Sequence, residues 1–340
     1  MREALLYEKL DDRRCHCFLC AHHCLIAPQK LGVCGVRENI DGTLYALTYG
    51  KVIARHADPV EKKPLYHFLS GSFSFSIAAI GCNFKCGFCQ NWEISQSSFR
   101  GGAVLSGEEI PPQEIVRQAI DYKCRSISYT YTEPTIFFEF ALDAARLAKA
   151  AGLYNIFVTN GYMSKAALEM IRPYLDAANV DLKFFRDSSY HQICGAALDP
   201  VLESIRLMHQ LGVWVEVTTL VIPGENDSSG ELGDIAGFIA GVDKNIPWHI
   251  SAFHPDYKFI RHKATSDAAL KTAMDLGRKA GLTYIYAGNV SGWGNNTYCA
   301  GCGKMLIKRD SLRVLENNLK EGKCAFCQAA VPGVFEGGGV

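Results

Sequence analysis

Three cysteines fall within one short stretch, Gly81–Gln90 (GCNFKCGFCQ). The spacing Cys82-x3-Cys86-x2-Cys89 allows a single loop to wrap one metal centre. A cubane [4Fe–4S] cluster has four irons that thiolates usually bind, so three cysteines leave one iron open, as catalytic zinc sites also keep an open position. The loop therefore predicts a catalytic iron–sulfur cluster. The alternatives are buried core cysteines or a zinc site with a distant fourth ligand.

A second cysteine group lies near the end of the chain, where Cys299-x2-Cys302 and Cys324-x2-Cys327 are separated by 21 residues. This pattern is typical of two knuckles that hold one tetrahedral ion. We expect a structural zinc that closes a small tail. A rubredoxin-like iron and uncoordinated thiols are the alternatives.

A third group, near the start, contains Cys17, Cys20, Cys24 and Cys34. Four thiolates at these spacings fit either zinc or a second iron–sulfur cluster. His16, His22 and His23 are nearby alternative ligands. We expect a metal site here without deciding between the two.

The totals limit the class of protein. The chain has 340 residues, 48% of them hydrophobic, 14 cysteines, and 35 basic against 35 acidic residues. Balanced charge gives no reason to expect nucleic acid or an anionic membrane as a partner. No apolar stretch reaches membrane-spanning length, and the first residues do not resemble a secretory signal. The expected compartment is the cytoplasm, where closely spaced cysteines indicate metal binding.

Strand and helix patterns alternate from residue 73 onward, which predicts an α/β fold with a parallel sheet. The expected strands are 73–80, 126–131, 154–159, 178–182, 213–221, 249–253 and 283–286. The expected helices are 108–123, 134–151, 165–174, 201–211, 231–241 and 267–280. Residues 43–57 have a hairpin pattern, and Glu336–Gly339 looks disordered. We expect three regions: a Cys-rich segment over 1–72, a barrel or partial barrel over 73–291, and a tail over 292–340.

Polar clusters follow six of these strands, and the carboxyl ends of parallel strands meet at one edge of a sheet. The clusters are the three-cysteine loop, Thr132-Glu133-Pro134, Thr159-Asn160-Gly161, Asp181-Leu182-Lys183, Pro223-Gly224-Glu225 and Phe253-His254-Pro255. We expect them to share one site.

CNFKCGFC resembles the cluster loop of radical S-adenosylmethionine (radical SAM) enzymes. VTNG at 158–161, VDLK at 180–183 and VIPGENDS at 221–228 are similar to pyruvate formate-lyase activating enzymes. LCAHHC, GVCGVREN, DPVEKKPLYHF, GCNFKCGFCQNWEISQ and YTYTEPTIFFEF resemble the radical SAM member of the AmmeMemoRadiSam system, over residues 15–290. The resemblance implies a partial (β/α)6 TIM-like barrel.

The resemblance also implies a [4Fe–4S] cluster on Cys82, Cys86 and Cys89, with S-adenosylmethionine on the open iron. Reductive cleavage of SAM would yield a 5′-deoxyadenosyl radical that abstracts hydrogen from an unidentified substrate, with flavodoxin or ferredoxin as reductant. One alternative is a glycyl-radical activase acting on a partner protein. Another, from a different class, is an iron–sulfur electron carrier or a zinc-stabilised interaction module.

Several SAM contacts follow from the resemblance by position. Phe88 would pack by the adenine, Glu133 would accept the SAM ammonium, and Asn160 and Gly161 would face the ribose or the carboxylate. Asp181 and Lys183 would reach the ribose and the carboxylate, and His254 would face adenine or substrate. Ordinary interpretations also exist: a helix cap for Glu133, a strand-end ion pair for Asp181 and Lys183, and a turn for His254. Residues 56–67 would cover the barrel mouth and contact the substrate.

Overall fold

The computed structural model describes residues 1–96 and 106–335. Its centre is an eight-stranded sheet in which seven strands run parallel and neighbour one another in chain order. These strands are β1 (Phe73–Ala78), β2 (Ser126–Tyr129), β3 (Tyr154–Thr159), β4 (Ala177–Asp181), β5 (Trp214–Val221), β6 (Trp248–Ala252) and β7 (Ile285–Gly288). Each predicted strand is present within a few residues of its expected bounds.

Six helices connect these strands in turn: α1 (Pro112–Asp121), α2 (Phe138–Ala150), α3 (Lys165–Ile171), α4 (Asp199–Gln210), α5 (Ser229–Val242) and α6 (Asp267–Lys279). Serine N-caps fix where three of them begin, because the side chains of Ser164, Ser228 and Ser266 accept backbone N–H groups of the first turn. The sheet stays open, with β7 at one edge and Ala54–Pro59 at the other. Six βα units and a seventh strand confirm the partial (β/α)6 barrel.

The predicted hairpin over residues 43–57 is wrong. Thr43–Ala46 pairs with Arg37–Ile40, whereas Ala54–Pro59 pairs antiparallel with β1. Alternating polar and apolar residues indicate a strand but do not select its partner, and here two strands of one pattern join different sheets. Part of the Cys-rich segment thereby extends the barrel sheet.

The remaining elements are short. Strands form at Arg2–Glu3, Tyr7–Lys9, Cys15–Cys17, Cys24–Ile26, Lys51–Val52, Glu108–Glu109, Thr297–Tyr298, Met305–Asp310, Arg313–Asn317, Leu319–Lys320 and Lys323–Cys324. Helical turns form at Asp11–Arg13, Val60–Lys62, Trp92–Ser95, Pro134–Phe137, Asp187–Ser189, Tyr190–Cys194 and Tyr257–Phe259. Within the two described ranges, no helix is both long and apolar enough to cross a membrane.

Residues 56–67 were expected to cover the barrel mouth, but residues 60–67 lie at the other end of the barrel. Pro59 pairs with Phe73, the first residue of β1, so the chain leaves this strand at the amino-terminal end of the sheet. Glu216 near the start of β5 then accepts the backbone N–H groups of Tyr66 and His67 at 3.0 and 2.8 Å. The segment therefore closes the opposite end of the barrel from the three-cysteine loop.

The tail packs against this same closed end. Arg309 is buried and donates to the carbonyl of Tyr66 at 2.9 Å and to the hydroxyl of Ser70 at 2.8 Å. Its guanidinium also lies 3.5 Å from the carboxylate of Glu61. The tail is thus attached by a buried charged contact, far from the polar strand ends. Glu336–Gly339 lies outside the described residues.

Candidate functional site

A cavity of about 530 Å³ lies at the carboxyl ends of the parallel strands. All the strands from β1 to β7 contribute to its lining, either directly or through the loop that follows. The lining residues are Lys62, Lys63, Pro64, Cys82, Phe84, Cys86, Phe88, Cys89, Gln90, Asn91, Ser95, Gln96, Thr130, Tyr131, Thr132, Glu133, Val158, Thr159, Asn160, Asp181, Lys183, Thr218, Leu220, Ser251 and Asn289. The structure thus brings most of the predicted polar clusters to one site.

The three-cysteine loop depends on two glycines for its path. Gly81 has φ of 103°, and a Cβ added there would stand 2.8 Å from Val36 Cγ1. A Cβ on Gly87 would stand 2.7 Å from the ring of Phe259. Since real side chains do not approach so closely, only glycine allows the loop to fold this tightly against its neighbours.

Cys82, Cys86 and Cys89 all line the cavity, and each has a neighbour behind it. Cys82 Sγ accepts the N–H of Phe84 at 3.3 Å, and Cys89 Sγ lies 3.0 Å from the hydroxyl of Ser95. A hydrogen bond with Cys194, together with burial, raises the pKa of Cys86. Cys194 is buried and is not part of the cavity lining. The donor set facing the cavity is therefore three thiols, which fits a cubane cluster with one iron left to another ligand.

Glu133 is buried and holds together the loops after β2 and β3. Its Oε1 accepts the N–H of Thr135 at 3.0 Å and the hydroxyls of Thr135 and Thr159 at 2.6 and 2.7 Å. Its Oε2 accepts the N–H of Asn160 at 2.8 Å. Burial raises the pKa of Glu133, while these four donors oppose that shift. Glu133 caps the following helical turn, and it also lines the cavity.

Asn160 links this carboxylate to the cysteine loop. Its side-chain amide donates to Asn83 Oδ1 at 2.7 Å, and Asn83 follows Cys82 directly. Gly161 has φ of 71°, and a Cβ there would stand 2.8 Å from Val180 Cγ1. Gly161 is not among the cavity lining residues, so its role is the turn that aims Asn160.

Lys183 and Asp181 face the cavity as an ion pair of 2.8 Å. Burial opposes the charge on Lys183, but Asp181 and Cys86 together hold the pKa of Lys183 well above its usual value. The ammonium also lies 5.8 Å from the centre of the Phe88 ring. Phe88 is buried between Phe184 and Phe259. A fixed cation therefore stands near the three thiols.

His254 is exposed and does not line the cavity. Ser251 near the end of β6 and Asn289 just after β7 line it instead. The sequence carried no signal for these two, because isolated polar residues at strand ends are common. Gly288 allows Ser251 to lie close to β7, since a Cβ on Gly288 would stand 2.5 Å from Ser251 Oγ.

A buried charged group enters the cavity from the closed end of the barrel. Asp58 accepts Lys62 Nζ at 2.9 Å, Lys63 Nζ at 2.8 Å and the Tyr131 hydroxyl. Burial lowers the pKa of Lys63 to about 8. Sequence reasoning placed Lys62 and Lys63 near substrate but on the wrong side, at the mouth.

The four carboxyl-terminal cysteines converge on one point. Their sulfurs lie within 4.8 Å of one another, with Cys299 and Cys327 at 3.6 Å and Cys302 and Cys324 at 3.8 Å. Tetrahedral zinc with bonds of about 2.3 Å requires sulfurs about 3.8 Å apart. This group is therefore arranged to hold a single metal ion.

Comparison with known proteins finds relatives along nearly the whole chain. Residues 77–235 match the family model described as the radical SAM superfamily. An uncharacterized protein of Methanocaldococcus jannaschii is 44% identical over 336 residues, which cover 96% of this chain and 98% of that protein. A pyruvate formate-lyase-activating enzyme of Clostridium pasteurianum is 24% identical over 166 residues, covering 48% of this chain and 67% of that enzyme. A solved domain of a pyruvate-formate lyase-activating enzyme from Bacteroides vulgatus aligns with a TM-score of 0.42 at 15% identity, covering 48% of this chain and 99% of that domain.

Proposed function

Because the chain belongs to the radical SAM superfamily and is related to the pyruvate formate-lyase activating enzymes, we propose that it cleaves S-adenosylmethionine reductively. The observation that carries the proposal is the set of three thiols, Cys82, Cys86 and Cys89, facing one cavity. These three residues would hold a [4Fe–4S] cluster, which would supply the single electron for cleavage of the C5′–S bond of SAM and so for hydrogen abstraction from a substrate. Membership of the AmmeMemoRadiSam system stays a prediction.

The surrounding residues supply complementary charge for SAM. Among the described residues Oε2 of Glu133 accepts one hydrogen bond, from Asn160, which leaves a lone pair for the SAM ammonium. Lys183 is a positioned cation for the SAM carboxylate, and Asp181 keeps it charged and in place. Phe88 offers a buried aromatic ring near them for the adenine. Gly161 acts through the turn that positions Asn160, and His254 has no contact in this proposal.

The size of the cavity and its closure at one end suit a small molecule. Its volume, about 530 Å³, is typical of a small-molecule site. Residues 60–67 close the barrel at its amino-terminal end. The ammonium of Lys63 in this segment is neutralised by its ion pair with Asp58. A one-electron donor protein such as flavodoxin or ferredoxin is the expected reductant.

The first experiment is an anaerobic assay of 5′-deoxyadenosine formed from SAM under dithionite. The reconstituted chain should produce it, and Cys89→Ala should reduce it to background. Cys124→Ala is the matched control, because Cys124 is buried and does not line the cavity. Absence of 5′-deoxyadenosine from a chain that retains iron would overturn the proposal and favour an electron carrier.

Similarity to a pyruvate formate-lyase-activating enzyme and to a putative glycyl-radical enzyme activating enzyme favours one second candidate, an activase that takes hydrogen from a partner protein's glycine. Protein fractions from cells grown on α-deuterated glycine distinguish the two. Transfer of deuterium into 5′-deoxyadenosine from the high-molecular-weight fraction supports the activase. Transfer that requires only small molecules from labelled cells excludes it.

We propose that the four carboxyl-terminal cysteines bind zinc, since their spacing matches a closed zinc tetrahedron. The position of this group against Tyr66 and Phe335, at the closed end of the barrel, supports a structural role. Metal analysis of the purified chain should find one zinc that Cys302→Ser removes.

A further inference from the structure

The four amino-terminal cysteines surround one small cavity. Cys17 and Cys24 lie opposite each other in an antiparallel strand pair, and Cys20 and Cys34 come from the loops on either side. All four line a cavity of about 10 Å³, close to the room that one water-sized sphere needs. Gly32 lies against this cavity: a Cβ there would stand 3.2 Å from Ile26 Cδ1 and in ordinary contact with the sulfurs of Cys24 and Cys34, at 3.8 and 3.9 Å.

The spacing of these sulfurs differs from that of the carboxyl-terminal group. Within the described residues, the set at 299, 302, 324 and 327 is the one in which three or more metal-ligand atoms lie within 4.8 Å of one another. Four sulfurs that bind one zinc lie about 3.8 Å apart and leave no room for a water-sized sphere between them. In a cubane each thiolate binds a different iron, so the sulfurs stand farther apart and enclose a larger space. The amino-terminal group has the wider arrangement, as does the loop of Cys82, Cys86 and Cys89.

A buried guanidinium on the same cavity gives an independent indication of an anionic group. Arg37 is 2% exposed, and its terminal nitrogens bind Glu139 at 2.5 and 2.7 Å and the carbonyl of Leu5 at 3.2 Å. Its Nε is buried and finds no hydrogen-bond partner among the described residues. A buried donor without a partner is costly, and a sulfide or thiolate sulfur at this cavity would accept it.

We propose that Cys17, Cys20, Cys24 and Cys34 bind a second [4Fe–4S] cluster, each thiolate on its own iron. Because the protein binds every iron of this cluster, it takes neither SAM nor substrate. It stands beside the SAM site: His22 Nε2 lies 2.8 Å from the carbonyl of Asn83 in the three-cysteine loop. A Cβ on Gly81 in that loop would stand 3.2 Å from the carbonyl of Cys34.

The test uses the full chain carrying Cys82→Ala, Cys86→Ala and Cys89→Ala together, reconstituted anaerobically with iron and sulfide. We expect this variant to retain four irons and four sulfides per chain, with a reduced-cluster EPR signal that SAM does not change. The unmutated chain should hold twice as much iron. Retention of zinc in place of iron by the triple variant would overturn the proposal.

A second variant keeps the test valid if the triple variant fails to fold. Cys24→Ser in the otherwise unmutated chain should halve the iron content and keep an EPR signal that SAM changes. Iron content equal to that of the unmutated chain would contradict the proposal. Since SAM cleavage is measured separately, failure here leaves the function proposed for Cys82, Cys86 and Cys89 intact.

Discussion

The carboxylate of Glu133 offers a sharp test of how the site is held together. Four donors converge on it, three on Oε1 and one on Oε2. In Glu133→Gln the side-chain amide has one accepting oxygen. We expect this oxygen to take the position of Oε1, where it accepts three hydrogen bonds, and the NH₂ group to take the position of Oε2. The N–H of Asn160 then faces an NH₂ group and loses its charge-assisted hydrogen bond while buried.

One such loss costs about 2 kcal/mol, and weaker bonds to a neutral oxygen raise the total to about 2–4 kcal/mol. For a chain of this size we expect Tm to fall by roughly 3–6 °C. Glu225→Gln is the control, because this carboxylate is part-exposed and pairs with His262 at 2.9 Å. Its Tm should stay within about 1 °C of the unmutated value.

Differential scanning calorimetry of the anaerobic, metal-loaded proteins measures both values. The binding of SAM gives a second readout, since Asn160 also orients Asn83 beside Cys82. We expect Glu133→Gln to weaken SAM binding as well as stability. Equal Tm values for the two variants would refute the claim that Glu133 holds the two loops together before SAM binds.

Three further outcomes are expected. Gly87→Ala places a Cβ 2.7 Å from the ring of Phe259, so it should lower the free energy of unfolding by about 1–3 kcal/mol and lower the iron content. Gly230→Ala is the control, because the described structure leaves open space there, and it should not lower Tm measurably. Burial lowers the pKa of His67 from 6.5 to about 4, so the unfolded chain binds the proton more tightly than the folded chain. About 3 kcal/mol of folding stability is therefore lost as pH falls from 6.5 to 4. In a Tm–pH profile His67→Gln should remove that slope, and an unchanged slope would contradict the assignment. Cys302→Ser should remove zinc and lower Tm while 5′-deoxyadenosine formation persists, because the tail packs at the far end of the barrel; loss of SAM cleavage would show that the two ends are coupled.

The barrel was predictable because its strands and helices alternate with a strong local pattern. Six polar clusters at strand ends predicted one shared site, and four of them, at Cys82, Glu133, Asn160 and Asp181, do line the cavity. His254 was expected to face the site but does not line the cavity, because a residue at a strand end can point outward and no local pattern indicates its direction. Glu133 caps the following helical turn and also lines the cavity, while its contact with the SAM ammonium stays a prediction.

The parts that escaped prediction depend on contacts between distant segments. Asp58, Lys63 and Tyr131 meet inside the barrel although they lie up to 73 residues apart in the chain. The segment over residues 56–67 was expected at the barrel mouth because it resembles the family so closely, whereas the pairing of Tyr66 and His67 with Glu216 has no sequence signature. For the amino-terminal cysteines, spacing in the chain left zinc and a second cluster open, and what favours the cluster is the spacing of the sulfurs in space together with the buried Nε of Arg37.

The central claim is that the three thiols at 82, 86 and 89 leave one iron of their cluster for SAM. EPR of the dithionite-reduced Cys24→Ser chain, with and without SAM, tests it most directly, because that variant isolates the cluster at this loop. We predict that SAM shifts the g values of the EPR signal, and that Lys183→Met raises the SAM concentration needed for this shift. A spectrum that saturating SAM leaves unchanged would contradict the account.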